Sequence, residues 1–162
     1  MNDQPNSIIA QHKNKLVILD TNILLVFLVG SIDRQLITTF KRTNSRYCAE
    51  DFDILNKLIG SFTKLTTTPN ILTEVSNLGS QLSGDANKQF FEFLSIFIQQ
   101  TTETYIPSSE ISKDALFIKF GITDRVILEL ARTEHLIITD DYKLAGYCKN
   151  SVNFNHLRNY VV

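Results

Sequence analysis

The sequence predicts an α/β fold with a mostly parallel sheet, and three observations point to it. Short apolar runs rich in branched residues, "KLVILD" at 15–20 and "HLIITD" at 135–140, read as strands buried on both faces. Longer stretches of helical periodicity separate such runs, and strands alternating with helices build parallel sheets. Both runs end in aspartate, at Asp20 and at Asp140 with Asp141 behind it. Acids therefore stand where a parallel sheet presents its carboxyl edge, the usual place for a ligand site.

Taken in order, residues 1–14 are expected to be a flexible extension; they lack the basic and then apolar segments of a signal peptide. The first strand follows, then helical patterns at 23–41 and 50–62. "FTKLTTT" (62–68) is the second strand, and it stops at Pro69, a residue that suits the first turn of a helix. Helical patterns at 69–80 and 84–100 lead to a weakly alternating third strand, "TTETYIP" (101–107). Two more occupy 109–119 and 123–133; between them Gly121 can close one helix and Thr123 can cap the next. After the fourth strand, a helix is expected over 141–149 and an edge strand in "SVNFNHL". No internal repeat and no linker rich in Gly, Pro or Ser divides the chain, so one domain is expected over 1–162.

Composition narrows the function classes. With 162 residues, 43% hydrophobic and 20% charged, the chain reads as an ordinary soluble globule long enough for a proper core. Its longest apolar run, 16–30, is interrupted by Asp20-Thr21-Asn22 and falls short of the ~20 residues a membrane span needs. Cys48 and Cys148 stand alone, which argues against a zinc site or disulfide scaffold and suits a reducing cytoplasm. His12, His135 and His156 are scattered and read as surface or half-buried residues. A net charge of −1 lacks the global basic footprint of a tight nucleic-acid binder. Locally, residues 31–47 hold Arg34, Lys41, Arg42 and Arg46 against Asp33 alone; the stretch suits a solvated helix face and a phosphate-gripping patch equally well.

Two helices add acids to the two at the strand ends. In "PNILTEVSNL" Ile71, Leu72, Val75 and Leu78 form one apolar stripe, and Glu74 falls on its border, half-buried and close to the sheet. In "GITDRVILELA" Asp124 sits in a first helical turn, where the helix dipole favours an anion. Singly, each acid has an ordinary explanation: a cap, dipole compensation or a solvated carboxylate. Together they would repel one another, and a hard divalent cation is the usual resolution. Mg²⁺ takes oxygen ligands and usually keeps several waters. Asp20 is therefore expected to face a metal rather than a basic side chain. Without metal, at least one acid should hold a raised pKa.

These residues resemble a PIN domain, a small metal-dependent nuclease fold, over about residues 15–155. The resemblance rests on "ILDTN", "TPNILTEVSNL", "GITDRVILELA" and "IITDDYKLAGY", in that order. It implies a Rossmann-like three-layer α/β/α sandwich that cuts single-stranded RNA with Mg²⁺ or Mn²⁺. The implied catalytic and metal-binding acids are Asp20, Glu74, Asp124 and Asp141, with Asp140 as an alternative ligand. Asn22 would orient Asp20 by a hydrogen bond, and Thr139 would lend a supporting hydroxyl. Many stand-alone bacterial members are toxins with an antitoxin partner, and members often form homodimers. This chain departs from the compact toxins in the 54 positions between Asp20 and Glu74. A haloacid-dehalogenase-like phosphatase would need a second Asp at position 22, which is Asn22. A receiver-type domain would need a different order of acids. The remaining alternative is a PIN-like module that binds RNA or protein without catalysis.

Overall fold

A computed structural model describes residues 5–159, with side chains over 7–159. The chain runs α1 (Pro5–Gln11), β1 (Leu16–Leu19), α2 (Thr21–Ile32), α3 (Leu36–Thr39), α4 (Ala49–Gly60) and β2 (Lys64–Thr67). It continues through α5 (Pro69–Gly79), α6 (Gly84–Gln100), β3 (Thr102–Glu103), α7 (Ser108–Ile111) and α8 (Ala115–Leu130). It ends with β4 (Leu136–Thr139), α9 (Tyr142–Ala145), β5 (Ser151–Asn153) and α10 (Phe154–Arg158).

The five strands form one all-parallel sheet in the order β3-β2-β1-β4-β5. From β1 the chain steps outward to β2 and β3, then returns over both strands to lay β4 on the other side of β1. Crossovers between parallel strands are right-handed as a rule, which takes the helices of these two halves to opposite faces, consistent with a three-layer Rossmann-like sandwich. The reversal of direction between β1 and β4 is the topological switch point, where ligand crevices form in such sheets.

The centre of the sheet is apolar because it is covered on both faces. Val17, Ile18, Leu136, Ile137 and Ile138 are all fully buried. Helix α2 buries residues around most of its circumference, as an apolar helix must, and α4, α5 and α6 all pack against it. Close approach depends on two glycines. A Cβ at Gly30 would stand 2.3 Å from the Phe52 ring, and one at Gly79 would stand 2.0 Å from that of Phe90. Among the described residues no helix is long and apolar enough to cross a membrane.

Several elements differ from their sequence expectation. The pattern over 23–41 is two helices, because Asp33 turns extended (φ −158°, ψ 122°) and ends α2. The pattern over 109–119 is divided where Asp114 accepts from the Leu116 and Phe117 amides and caps α8. Gly121, at φ 77°, then breaks α8 where two helices were expected to meet. Of 101–107 only Thr102 and Glu103 pair with β2, and of 141–149 only four residues are helical. The expected flexible extension instead carries α1, with Ile8 and Ile9 packed on the core; residues 1–4 lie outside the described part. His12 is buried rather than superficial, with Nδ1 against the Ile8 carbonyl at 2.8 Å.

Candidate active site

Strand register sets the first pair of site residues. Leu19 lies level with Ile138, and the Asp20 amide donates to the Ile138 carbonyl at 2.9 Å. The next residue on β4 is Thr139, whose hydroxyl donates to Asp20 Oδ2 at 2.6 Å. Asp20 Oδ1 accepts from the Thr21 amide at 2.6 Å, so Asp20 also caps α2. The carboxylate is 6% exposed and has no ion pair among the described residues. Burial pushes its pKa up to about 6; the Thr139 and Thr21 hydrogen bonds oppose the rise, while the charges of Asp140 and Asp141 add to it.

Glu74 reaches the same rim from α5. It is exposed rather than half-buried, yet both carboxylate oxygens are held: Oε2 by the Thr21 hydroxyl at 3.0 Å and Oε1 by the Thr123 hydroxyl at 2.5 Å. Thr123, expected to cap a helix, spends its hydroxyl on this bond. Asp124, the next residue, is half-buried with no hydrogen bond or ion pair to its carboxylate among the described residues. Its pKa is pushed up to about 7, first by burial and then by the charges of Asp20, Asp141 and Glu74, with Lys143 opposing. Burial thus outweighs the repulsion that the sequence suggested as the cause.

The two acids after β4 take different roles. Asp141 caps α9, its Oδ1 accepting from the Lys143 and Leu144 amides, and its own amide is held by Thr139. Its Oδ2 has no hydrogen-bond partner among the described residues, and its charge acts on both Asp20 and Asp124. Asp140 is buried and neutralised instead: Oδ2 meets the Arg46 guanidinium at 2.7 Å and the Tyr47 hydroxyl at 2.6 Å. Burial and this neighbouring carboxylate push the Tyr47 phenol above its ordinary range. Asn22 turns to Asp140 Oδ1 at 3.5 Å rather than to Asp20, so the expected contact is absent and Thr139 does the orienting.

The basic stretch divides as well. Arg34 is taken by Asp53 at 2.8 Å and Glu50 at 3.6 Å, Arg46 by Asp140, and Arg42 donates to Gln81 at 2.8 Å. Among the described residues Lys41 and Arg42 have no carboxylate partner while Arg34 and Arg46 do, so the stretch is not the continuous cationic patch its composition allows. Sequence reading missed Thr21 and Thr123, which follow or precede an acid directly and so share its rim. It also missed Cys148, whose thiol is pushed up to about 12 by burial and by Asp20 and Asp124.

Among the described residues no three Asp, Glu, His or Cys side chains are gathered tightly enough to share one metal ion. The donor chemistry nonetheless suits a hard divalent cation, because carboxylate oxygens predominate and, among the described residues, none of Asp20, Glu74, Asp124 and Asp141 has an ion-pair partner. Comparison with protein-family models, curated proteins and solved structures gave no match.

Proposed function

We propose that this chain is a metal-dependent endoribonuclease of the PIN type, hydrolysing single-stranded RNA at the rim formed by Asp20, Glu74, Asp124 and Asp141. One observation carries the reading. Four carboxylates border the switch point of a parallel sheet, three of them oriented by hydroxyls or amides, without one Lys or Arg ion pair to them among the described residues. Such charge is costly to maintain in a part of the fold that gains nothing from it, and clusters of this kind concentrate at functional sites.

Mg²⁺ or Mn²⁺ fits the donor set. Mg²⁺ is commonly held by one or two carboxylates, substrate oxygens and its own waters, which suits a rim where no three acids converge on one point. Asp20, Glu74, Asp124 and Asp141 are the residues that would hold it; Asp140 is the least available, because Arg46 and Tyr47 occupy it. A bound ion supplies an activated water and offsets charge on the phosphodiester. The chain's own side chains do the positioning: Thr139 fixes Asp20, and Thr21 with Thr123 fixes Glu74. Asp124, raised to about 7, can hold a proton near neutrality that a bound cation would have to displace, so metal affinity should fall as pH drops.

The test is cleavage of a mixed panel of RNA and single-stranded DNA with Mg²⁺, Mn²⁺ or EDTA, by wild type and Asp20→Asn. RNA cleavage that needs the metal and disappears in Asp20→Asn supports the reading; cleavage at the wild-type rate by the purified variant sinks it. A second reading, a non-catalytic module that binds RNA or protein, draws on the spacing of the acids. Under that reading Mn²⁺ leaves the melting temperatures of wild type and Asp20→Asn equally unmoved.

A further inference from the structure

A pair of cations outside the 31–47 stretch also borders the acidic rim. Lys143, the second residue of α9, acts on Asp124, and Lys119 lies on α8 just before the Gly121 break. Neither has a carboxylate within ion-pair distance among the described residues. Both are exposed and arranged on aromatic rings. Lys119 Nζ stands 4.4 Å from the centre of the Tyr147 ring and Lys143 Nζ stands 4.5 Å from that of Phe120. The Phe120 and Tyr147 rings meet edge to face at 5.1 Å. Lys143 Nζ donates to the Lys119 carbonyl at 3.1 Å, which joins α9 to the end of the first half of α8. Tyr147 is 50% exposed, and Tyr142, on the same turn as Lys143, is 59% exposed.

Large aromatic faces left in water beside unneutralised cations have a recognisable use. Single-stranded nucleic acids are held by grooves that pair lysine or arginine with phosphates while aromatic rings stack on bases. A polynucleotide approaching four carboxylates must also be drawn past their repulsion, and cations at the lip of the rim supply that attraction. We propose that Lys119, Lys143, Tyr142 and Tyr147 form the platform on which a single-stranded RNA lies as it enters the rim. The strand's phosphates meet the two lysines and its bases meet the tyrosines. This rests on the nuclease reading for the choice of RNA, and it places substrate binding on α8 and α9 rather than on the arginines of 31–47.

The experiment measures binding alone. Fluorescence anisotropy of a labelled single-stranded RNA with the full chain in EDTA, where cleavage is off, is recorded over a series of salt concentrations; an equal DNA strand runs in parallel. Lys119→Gln/Lys143→Gln keeps a polar side chain only slightly shorter while removing two charges. It should weaken RNA binding about tenfold at low salt and flatten the log–log salt slope by roughly 1–1.5. Tyr147→Ala should weaken binding about fivefold or more with little change in slope. Arg34→Gln, which removes a cation held by Asp53 and Glu50, should leave both quantities unchanged. Unchanged affinity and slope in the double lysine variant overturns the platform, as does equal loss in Arg34→Gln or absence of binding by wild type. DNA binding as tight as RNA binding overturns the choice of RNA. The nuclease reading stands or falls separately, on Asp20-dependent cleavage.

Discussion

Asp124 and Arg125 are neighbours on α8, and they look into opposite electrostatic worlds. Arg125, 4% exposed, gives its guanidinium to Asp114 at 2.8 Å and to Glu129 at 2.8 Å. The hydrogen bonds from Arg125 hold the Asp114 carboxyl below the usual range. One residue away, Asp124 has no ion pair among the described residues, and burial with three neighbouring acids raises it to about 7 against the opposing charge of Lys143. Asp114 and Asp124 stand on either side of Gly121, so one broken helix carries a neutralised end and a frustrated end. A charge network built only for stability resembles the first. The second departs from local consistency, which is where functional sites are to be sought.

The comparison can be broken most decisively through activity. Asp20→Asn and Asp124→Asn should each lower RNA cleavage by about 10²-fold or more, a scale on which positioned acid–base groups contribute. Asp114→Asn, on the neutralised end, should leave the cleavage rate close to wild type. A gel assay on the three variants settles the contrast; equal losses in all three would erase it.

Stability should show the reverse pattern. Arg125→Met strips Asp114 of its cation and leaves Glu129 with Arg132 at 3.0 Å, and the loss of one partner costs more than the pair contributes. Its melting temperature should fall by about 5 °C or more, as read by circular dichroism. A drop of similar size in Asp124→Asn would contradict the distinction between the two ends.

A third measurement uses pH. Because the folded pKa of Asp20 lies above its ordinary 3.8, at about 6, ionising it works against the fold. Wild type is penalised at ~pH 8 and relieved as pH falls through about 6, with no further gain below ~4. A shift of this size corresponds to roughly 3 kcal/mol. Some of it is returned in Asp20→Asn through a weaker cap, worth ~1 kcal/mol. The variant should therefore exceed wild type by about 1–2 kcal/mol at ~pH 8 in urea unfolding, and the advantage should vanish by ~pH 4. An advantage independent of pH would mean that charge is not its origin.

The smallest expected effect sharpens the comparison inside the rim itself. Arg46→Ala removes the cation from Asp140 and leaves the Tyr47 hydroxyl as its remaining strong donor. The cost should be about 1–2 kcal/mol near neutrality, because the guanidinium is half-exposed and the acid is buried. It should shrink as salt is raised, because an ion pair whose guanidinium is half-exposed is partly screened. A cost that stays constant across salt concentrations would assign the loss to packing of the loop rather than to the ion pair.

The main strands and the place of two acids were readable because their causes are local. Runs such as Leu16–Leu19 and Leu136–Thr139 have one stable use, as strands covered on both faces, and an acid directly behind such a run emerges at the carboxyl edge. Pro69 and Gly121 marked a helix start and a break through backbone preferences that need no partner. The partners of the acids were not readable, because they depend on which distant segments the fold brings together. Thr21 and Thr123 meet at Glu74 across three separate helices, and Thr139 meets Asp20 through the register of β1 with β4. The same arrangement sends Arg46 to Asp140 and Arg34 to α4, turning a cationic stretch in sequence into internal ion pairs. Sequence alone determines backbone preference and the side of the sheet on which an acid emerges, since both follow from neighbours a few residues away. Tertiary structure decides which charges are neutralised, since Coulomb and hydrogen-bond energies depend on distances of a few ångströms that only packing sets.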